Sequence, residues 1–257
     1  MSPSELFDIL ELKYRQYNQP NFIAEDPISI PHQFTQKEDI EISGFLSATI
    51  AWGQRKTIIN NAHKLMDMMD RAPFEFVMGA SEDELQRVTH FVHRTMNGTD
   101  CLHLILGLRE VYQNKGGLEA VFNEGVSLHD EDVMGGIMSA RGAITGRSDF
   151  PQRTHKHVAN PSRGSSAKRI NMFLRWMVRQ DKQDVDFGIW RTIQPHQLIL
   201  PLDVHTGNVA RKLGLLTRKQ NDWKAAKALT DQLKAFCPED PVKYDFSLFG
   251  LGVYDDL

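Results

Sequence analysis

Cysteine is scarce: Cys101 and Cys237 stand alone, 136 positions apart. Two thiols cannot build a disulfide framework, a four-thiolate zinc site or an iron–sulfur cluster, and they suit a reducing compartment. Long apolar runs are missing too. No stretch approaches the ~18 uncharged apolar residues of a membrane span, and the opening Met-Ser-Pro-Ser-Glu-Leu-Phe is acidic, without the apolar core and small-residue cleavage site of a secretory signal. A soluble, unsecreted, cytoplasmic protein with no membrane partner is the expectation. Alternating β-branched runs bounded by turns are lacking, which argues against a sandwich or barrel. Gly142-Ala-Ile-Thr-Gly146-Arg147 has neither the Gly-Lys-Ser/Thr ending nor the preceding strand of a nucleotide-phosphate loop. No nucleophilic serine elbow occurs. His155 and His157 sit in a basic stretch without a carboxylate or cysteine beside them, so no metal is expected there.

What is present is ordinary globular composition, 41% hydrophobic and 25% charged over 257 residues, enough for one large domain or two small ones. The net charge of −3 conceals an uneven distribution. Arg153 to Lys182 holds eight basic residues against one acid, Asp181, so this segment carries +7 and the remainder −10. A basic surface on an acidic chain points to a polyanionic partner, although a solvated face explains such a run equally well.

The spacing of apolar residues predicts an all-α fold. Leu6, Ile9 and Leu10 begin a first helix, and Ser81-x-x-Glu84 is a capping box opening one that runs to Val92. Thr99 caps the next, which ends before Gly116-Gly117. Further helices are expected over 40–52, 55–69, 128–143, 167–179, 204–213, 222–236 and 241–249. The stretch 145–163 is polar and basic and reads as a surface loop.

Two segments carry chemistry. In Pro161-Ser-Arg-Gly-Ser-Ser-Ala-Lys168, small residues lead into a helix and leave its first N–H groups available to a phosphate. At 100° per residue, Lys168, Arg175 and Arg179 share one face, while Ile170, Phe173, Leu174 and Met177 share the opposite one. The expectation is a basic face open to solvent. A first-turn lysine amine is a nucleophile once it has lost its proton; most lysines are simply solvated. In the second segment, an apolar approach, Leu198 to Leu202, delivers Asp203 to a helix start. Capping alone would account for Asp203, yet a carboxylate held there can also steady a developing cation or orient an amine. Trp52 and Trp176 read as packing residues rather than base-stacking ones.

Leu202-Asp-Val-His-Thr-Gly-Asn-Val-Ala-Arg-Lys-Leu-Gly214 resembles the Val-Asp-Thr-His-Val…Arg-Leu-Gly phrase of the helix-hairpin-helix DNA glycosylase superfamily, and Lys168-x-x-Asn171-x-x-Leu174 is similar to its Schiff-base lysine motif. Glu41 to Gln54 looks like the superfamily's early helix ending in a polar tip, and Asp245-Phe-Ser-Leu-Phe249 is similar to the base-pocket pair of the archaeal 8-oxoguanine glycosylase branch. The resemblance spans about residues 40 to 251. The hairpin here, Ser162-Arg163-Gly164-Ser165-Ser166, retains one glycine of the usual Leu-Pro-Gly-x-Gly, and 35 positions separate Lys168 from Asp203, an interval nearer the archaeal branch. The pattern around Lys168 and Asp203 is also identified as that of an uncharacterised bacterial family.

The resemblance implies one glycosylase-like unit over 1–257, two-lobed with a basic central cleft: a helical lobe at 40–143, a hairpin-like lobe at 164–213, and 1–39 and 214–257 packing across them. It implies a DNA N-glycosylase with lyase activity that excises a damaged purine, such as 8-oxoguanine, from double-stranded DNA without metal or organic cofactor. Lys168 and Asp203 would be catalytic. Gln54, Gly164, Ser165, Ser166, Arg169, Arg175 and Arg179 would contact nucleic acid, with Gln54 filling the space of the flipped base. Met172, Asp245 and Phe249 would line the base pocket. The alternatives are a non-catalytic nucleic-acid-binding protein on the same scaffold, or a helical protein whose basic face serves an acidic protein partner.

Overall fold

The computed structural model describes residues 2–255, and among these the chain is helical throughout, with no β-strand and two isolated bridges, His93 to Met96 and Ser165 to Asp222. In chain order the α-helices are α1 (Pro3–Tyr17), α2 (Asn21–Ala24), α3 (Lys37–Thr49), α4 (Arg55–Met68), α5 (Pro73–Gly79), α6 (Glu82–Val88), α7 (Gly98–Asn114), α8 (Leu118–Asn123), α9 (Met134–Thr145), α10 (Lys168–Val178), α11 (Val204–Lys212), α12 (Trp223–Lys234) and α13 (Asp245–Val253). No helix among the described residues is long and apolar enough to cross a membrane.

The contacts divide the chain into two compact units. Unit 1 holds the chain up to Phe22, Ser127–Val133 and everything from Asn160; unit 2 holds Ile23–Val126 and Met134–Ala159. In unit 1, α13 packs on α1 and α11. Gly250 makes this approach possible, since a Cβ there would lie 2.0 Å from Cδ2 of Tyr17. Ile170, Phe173, Leu174 and Met177 of α10 are buried as their spacing predicts, with Trp190 edge-on to Phe173. In unit 2, α3 is buried along Ile40 to Thr49 and packs against α4 and α5, while α7 packs against α9.

Several helix ends differ from expectation for identifiable reasons. The Ser81 capping box is present, but α6 ends at Val88 rather than Val92, because Arg94 turns left-handed (φ 54°) and His93 is drawn inward onto Trp52 O and Asn61. Asn97, not Thr99, caps α7, in a reciprocal box with Asp100. The helix expected from residue 128 begins at Met134, since the Gln197 amide holds the carbonyls of Ser127 and Asp130. Pro241 to Tyr244 is a 3-10 turn before α13.

The stretch 145–163 is not the surface loop expected. It contains a 3-10 helix, Gln152–His157, in which Thr154 and His157 are buried against Asp100.

Candidate functional site

The starts of α10, α11 and α12 converge within unit 1. Ala167, the residue before Lys168, is left-handed (φ 51°) despite carrying a Cβ, and no side chain caps α10. Such a backbone persists only where its surroundings impose it. Here Ala167 N donates to Ser165 Oγ (3.1 Å), Asn171 Nδ2 to Ser166 O (3.0 Å), Ser166 Oγ to Leu202 O (3.4 Å) and Trp223 N to Gly164 O (3.2 Å). Asn221 Nδ2, just before α12, donates to Asp203 O (2.9 Å). The small residues ahead of Lys168 are thereby tied to both neighbouring helix starts.

This places Lys168 Nζ 3.1 Å from Asp203 Oδ2, with the lysine side chain 34% exposed. The other Asp203 oxygen caps α11, accepting from Thr206 N at 2.8 Å. Burial pushes the Asp203 carboxyl up, but the Lys168 charge and the Thr206 hydrogen bonds outweigh it and hold the group below the ordinary carboxylate value. Asp203 is therefore a fixed anion beside an amine that solutes can reach. Asp245, buried at the start of α13, behaves oppositely: burial raises it to about 6, Arg175 and Lys168 oppose the rise, and Asp203 adds to it. Two carboxylates that both feel Lys168 are thus driven apart in proton affinity.

Arg175 and Arg179 require a correction. Both are buried, not on an open basic face. Arg175 pairs with Asp245 and with Asp186 (3.2 Å) and lies over the Phe246 ring at 4.4 Å. Arg179, 1% exposed, meets Asp181 (2.8 Å), Asp186 (3.0 Å), Asp240 (2.8 Å) and the Tyr14 hydroxyl (2.5 Å). These guanidiniums are engaged by carboxylates and are not presented to a phosphate. A helical wheel shows that a stripe is polar; it does not show which acids from elsewhere close over it. Asp186, Asp240 and Asn221 carried no local motif, so they were missed.

The other expected site residues are distributed as follows. Gly164 and Ser165 are exposed, Ser166 is half-buried, and a 3-10 turn, Pro161–Arg163, forms the start of the hairpin stretch. Arg169 is half-buried, and burial draws it down to about 10. Met172 is half-buried on α10. Phe249 is half-buried too, edge-on to Phe22 (6.1 Å) and Tyr254 (6.3 Å), which is a packing role. Gln54 is exposed at the start of α4 in unit 2. Trp52, also in unit 2, packs between histidines, as expected. No group of three potential metal ligands occurs among the described residues.

A protein-family model described as Protein of unknown function (DUF2400) matches residues 26–254. No curated protein and no solved structure matches the chain.

Proposed function

Because the chain belongs to the DUF2400 family, whose description assigns no activity, we propose a function from the site itself: a DNA glycosylase with lyase activity, acting on a damaged purine in double-stranded DNA. The observation that carries this reading is the Lys168–Asp203 pair, 3.1 Å apart and partly open to solutes, in a sequence context that resembles the glycosylase motifs. The two-lobed glycosylase-like architecture and the DNA partner belong to the same proposal.

In this scheme the target nucleotide leaves the stack, since its C1′ is inaccessible within it. Lys168 Nζ, paired with Asp203 at rest, gives a proton to water and attacks C1′; an N–C bond forms as the glycosidic bond breaks, and the base departs with that electron pair and takes up a proton from the newly bonded nitrogen. The nitrogen lone pair then opens the sugar ring, O4′ taking a proton from water, to leave a protonated imine; loss of a C2′ proton to water and departure of the 3′ phosphate with the C3′–O electron pair cut the strand. The Asp203 carboxylate orients the amine and offsets positive charge on the sugar. The scheme calls on no metal or organic cofactor.

Borohydride trapping on duplex DNA containing 8-oxoguanine or another damaged purine tests the reading. Wild type should give a covalent adduct and Lys168→Ala none; an adduct that survives in Lys168→Ala would overturn the lysine assignment. Salt-sensitive DNA binding with no base release from any purine lesion would favour the non-catalytic alternative.

A further inference from the structure

Three turns of unit 2 close around one polar interior. Trp52 is stacked on His157, ring centroids 5.8 Å apart, and met edge-on by His93 at 4.8 Å. His93 contacts the Trp52 carbonyl (3.1 Å) and Asn61 (2.8 Å). Asp100, fully buried, accepts from Thr154 Oγ1 (2.7 Å), Asn97 N (3.1 Å) and Arg153 Nη2 (3.0 Å), and faces His157 Nε2 at 3.3 Å. Arg153 also donates to Thr95 O at 3.2 Å. The positions of all three turns are therefore set from inside the unit.

The charge on these turns has one sign. Residues 52–57, 92–97 and 151–158 contain Arg55, Lys56, Arg94, Arg153 and Lys156 and no carboxylate, in a chain whose net charge is −3. Lys56, Arg94, Arg153 and Lys156 are exposed. Within α4 the first turn carries Arg55 and Lys56 and no acid, the reverse of what the helix dipole favours. Arg94 is left-handed, which costs a side-chain-bearing residue on the order of 1 kcal/mol. Opposite it, Gly53 has φ 110°, and a Cβ there would come 2.9 Å from Arg94 Nη1. The glycine makes room for the guanidinium to lie across its backbone, beside exposed Gln54. Local preference is sacrificed twice in one place, and both departures serve to display cations.

We propose that these turns form a docking surface for the phosphodiester backbone of double-stranded DNA, with Lys56, Arg94 and Lys156 as its phosphate contacts and Arg153, engaged by Asp100 and Thr95 O, bracing the turn beneath them. Cations on turns braced by a stiff interior, with no acid among those turn residues, fit a partner whose charges recur at regular spacing; a duplex, with one charge per ~1.7 Å of axis, is such a partner. A flexible single strand or an acidic peptide gains less from that rigidity. The proposal shares its partner with the reading above and is independent of the Lys168 chemistry.

The test is fluorescence anisotropy of the full chain on an undamaged duplex of ~20 base pairs, over a range of salt concentrations. The triple variant Lys56→Gln, Arg94→Gln, Lys156→Gln should bind on the order of 10²-fold more weakly near 0.1 M salt, with a log–log salt slope shallower by up to ~2.7. Its melting temperature should match wild type. If the triple variant melts lower, Lys56→Gln and Lys156→Gln taken singly should each flatten the slope by ~0.9. Unchanged affinity and slope overturn the proposal, as do a wild type that does not bind the duplex and one that binds a single strand of equal length as tightly. Failure of borohydride trapping in wild type would remove the Lys168 reading and leave this surface standing.

Discussion

Asp203 caps α11 and also faces Lys168, so a substitution must separate the two roles. Asp203→Asn does so, because asparagine and aspartate are equivalent N-caps and the amide oxygen can still accept from Thr206 N, now 2.8 Å away. What is lost is a unit of negative charge 3.1 Å from an amine that is one-third exposed. Water can replace that partner, so the ion pair contributes no more than about 1 kcal/mol to stability, or a fall of about 2–4 °C in melting temperature. The chemistry should suffer far more. Removing a preorganised group aimed at developing charge costs about 10²–10³ in rate.

Single-turnover trapping with protein in excess reads that rate, thermal denaturation reads stability, and anisotropy checks whether binding to the DNA matches that of wild type. Asp203→Ala supplies the comparison: it also removes the cap and should lose about 1 kcal/mol more than Asp203→Asn. A trapping rate for Asp203→Asn within about threefold of wild type would refute a catalytic role for the carboxylate. A stability loss above about 3 kcal/mol would refute the premise that the pair is weakly coupled to folding.

Three further outcomes follow from the geometry. Arg179→Met should destabilise by about 3–5 kcal/mol in urea titration, because it takes from Asp181 and Asp240 the guanidinium that pairs them and leaves Asp186 with Arg175 alone; intact stability with weakened DNA binding would instead restore the phosphate role. Asp245, raised by burial to about 6, holds its proton in the folded state where the unfolded chain has lost it. Its contribution is therefore complete below ~3.9 and lost as pH rises through about 6, about 3 kcal/mol in all. Urea titrations from pH 4 to 7 should show Asp245→Asn lacking that decline, and an identical pH slope in variant and wild type would count against it. Gly250→Ala drives a methyl group into Tyr17, 2.0 Å from Cδ2, and should cost about 1–3 kcal/mol; an unchanged melting temperature would mean that α1 and α13 are not packed this closely.

Much of the fold was legible because its signals are local. A 3.6-residue apolar spacing located α3, α4, α7, α10, α11 and α12 to within a few positions, and the Ser81-Glu84 box is a four-residue pattern complete in itself. Short helices were not legible: α5, with seven residues, and α8, with six, are too brief for periodicity to show. Nor were the ends and loops fixed by distant partners. Thr154 is buried because its hydroxyl reaches Asp100, 54 residues earlier, and no window around 152–157 contains that information.

The same division governs the site. Lys168 and Asp203 each announced themselves locally, one after a run of small residues and the other as an N-cap, although their meeting depends on Ser166, Asn221 and the starts of three helices. Arg175 and Arg179 share the Lys168 face of α10, and nothing in the spacing separates the exposed end of that stripe from the buried end. Asp181, Asp186, Asp240 and Asp245 do so by closing over the two arginines. Two of the eight cations between 153 and 182 that looked like a nucleic-acid footprint therefore spend their charge inside the unit. A partner reading this protein by charge would meet other cations, and the exposed ones at 56, 94 and 156 stand on turns whose interior is already satisfied.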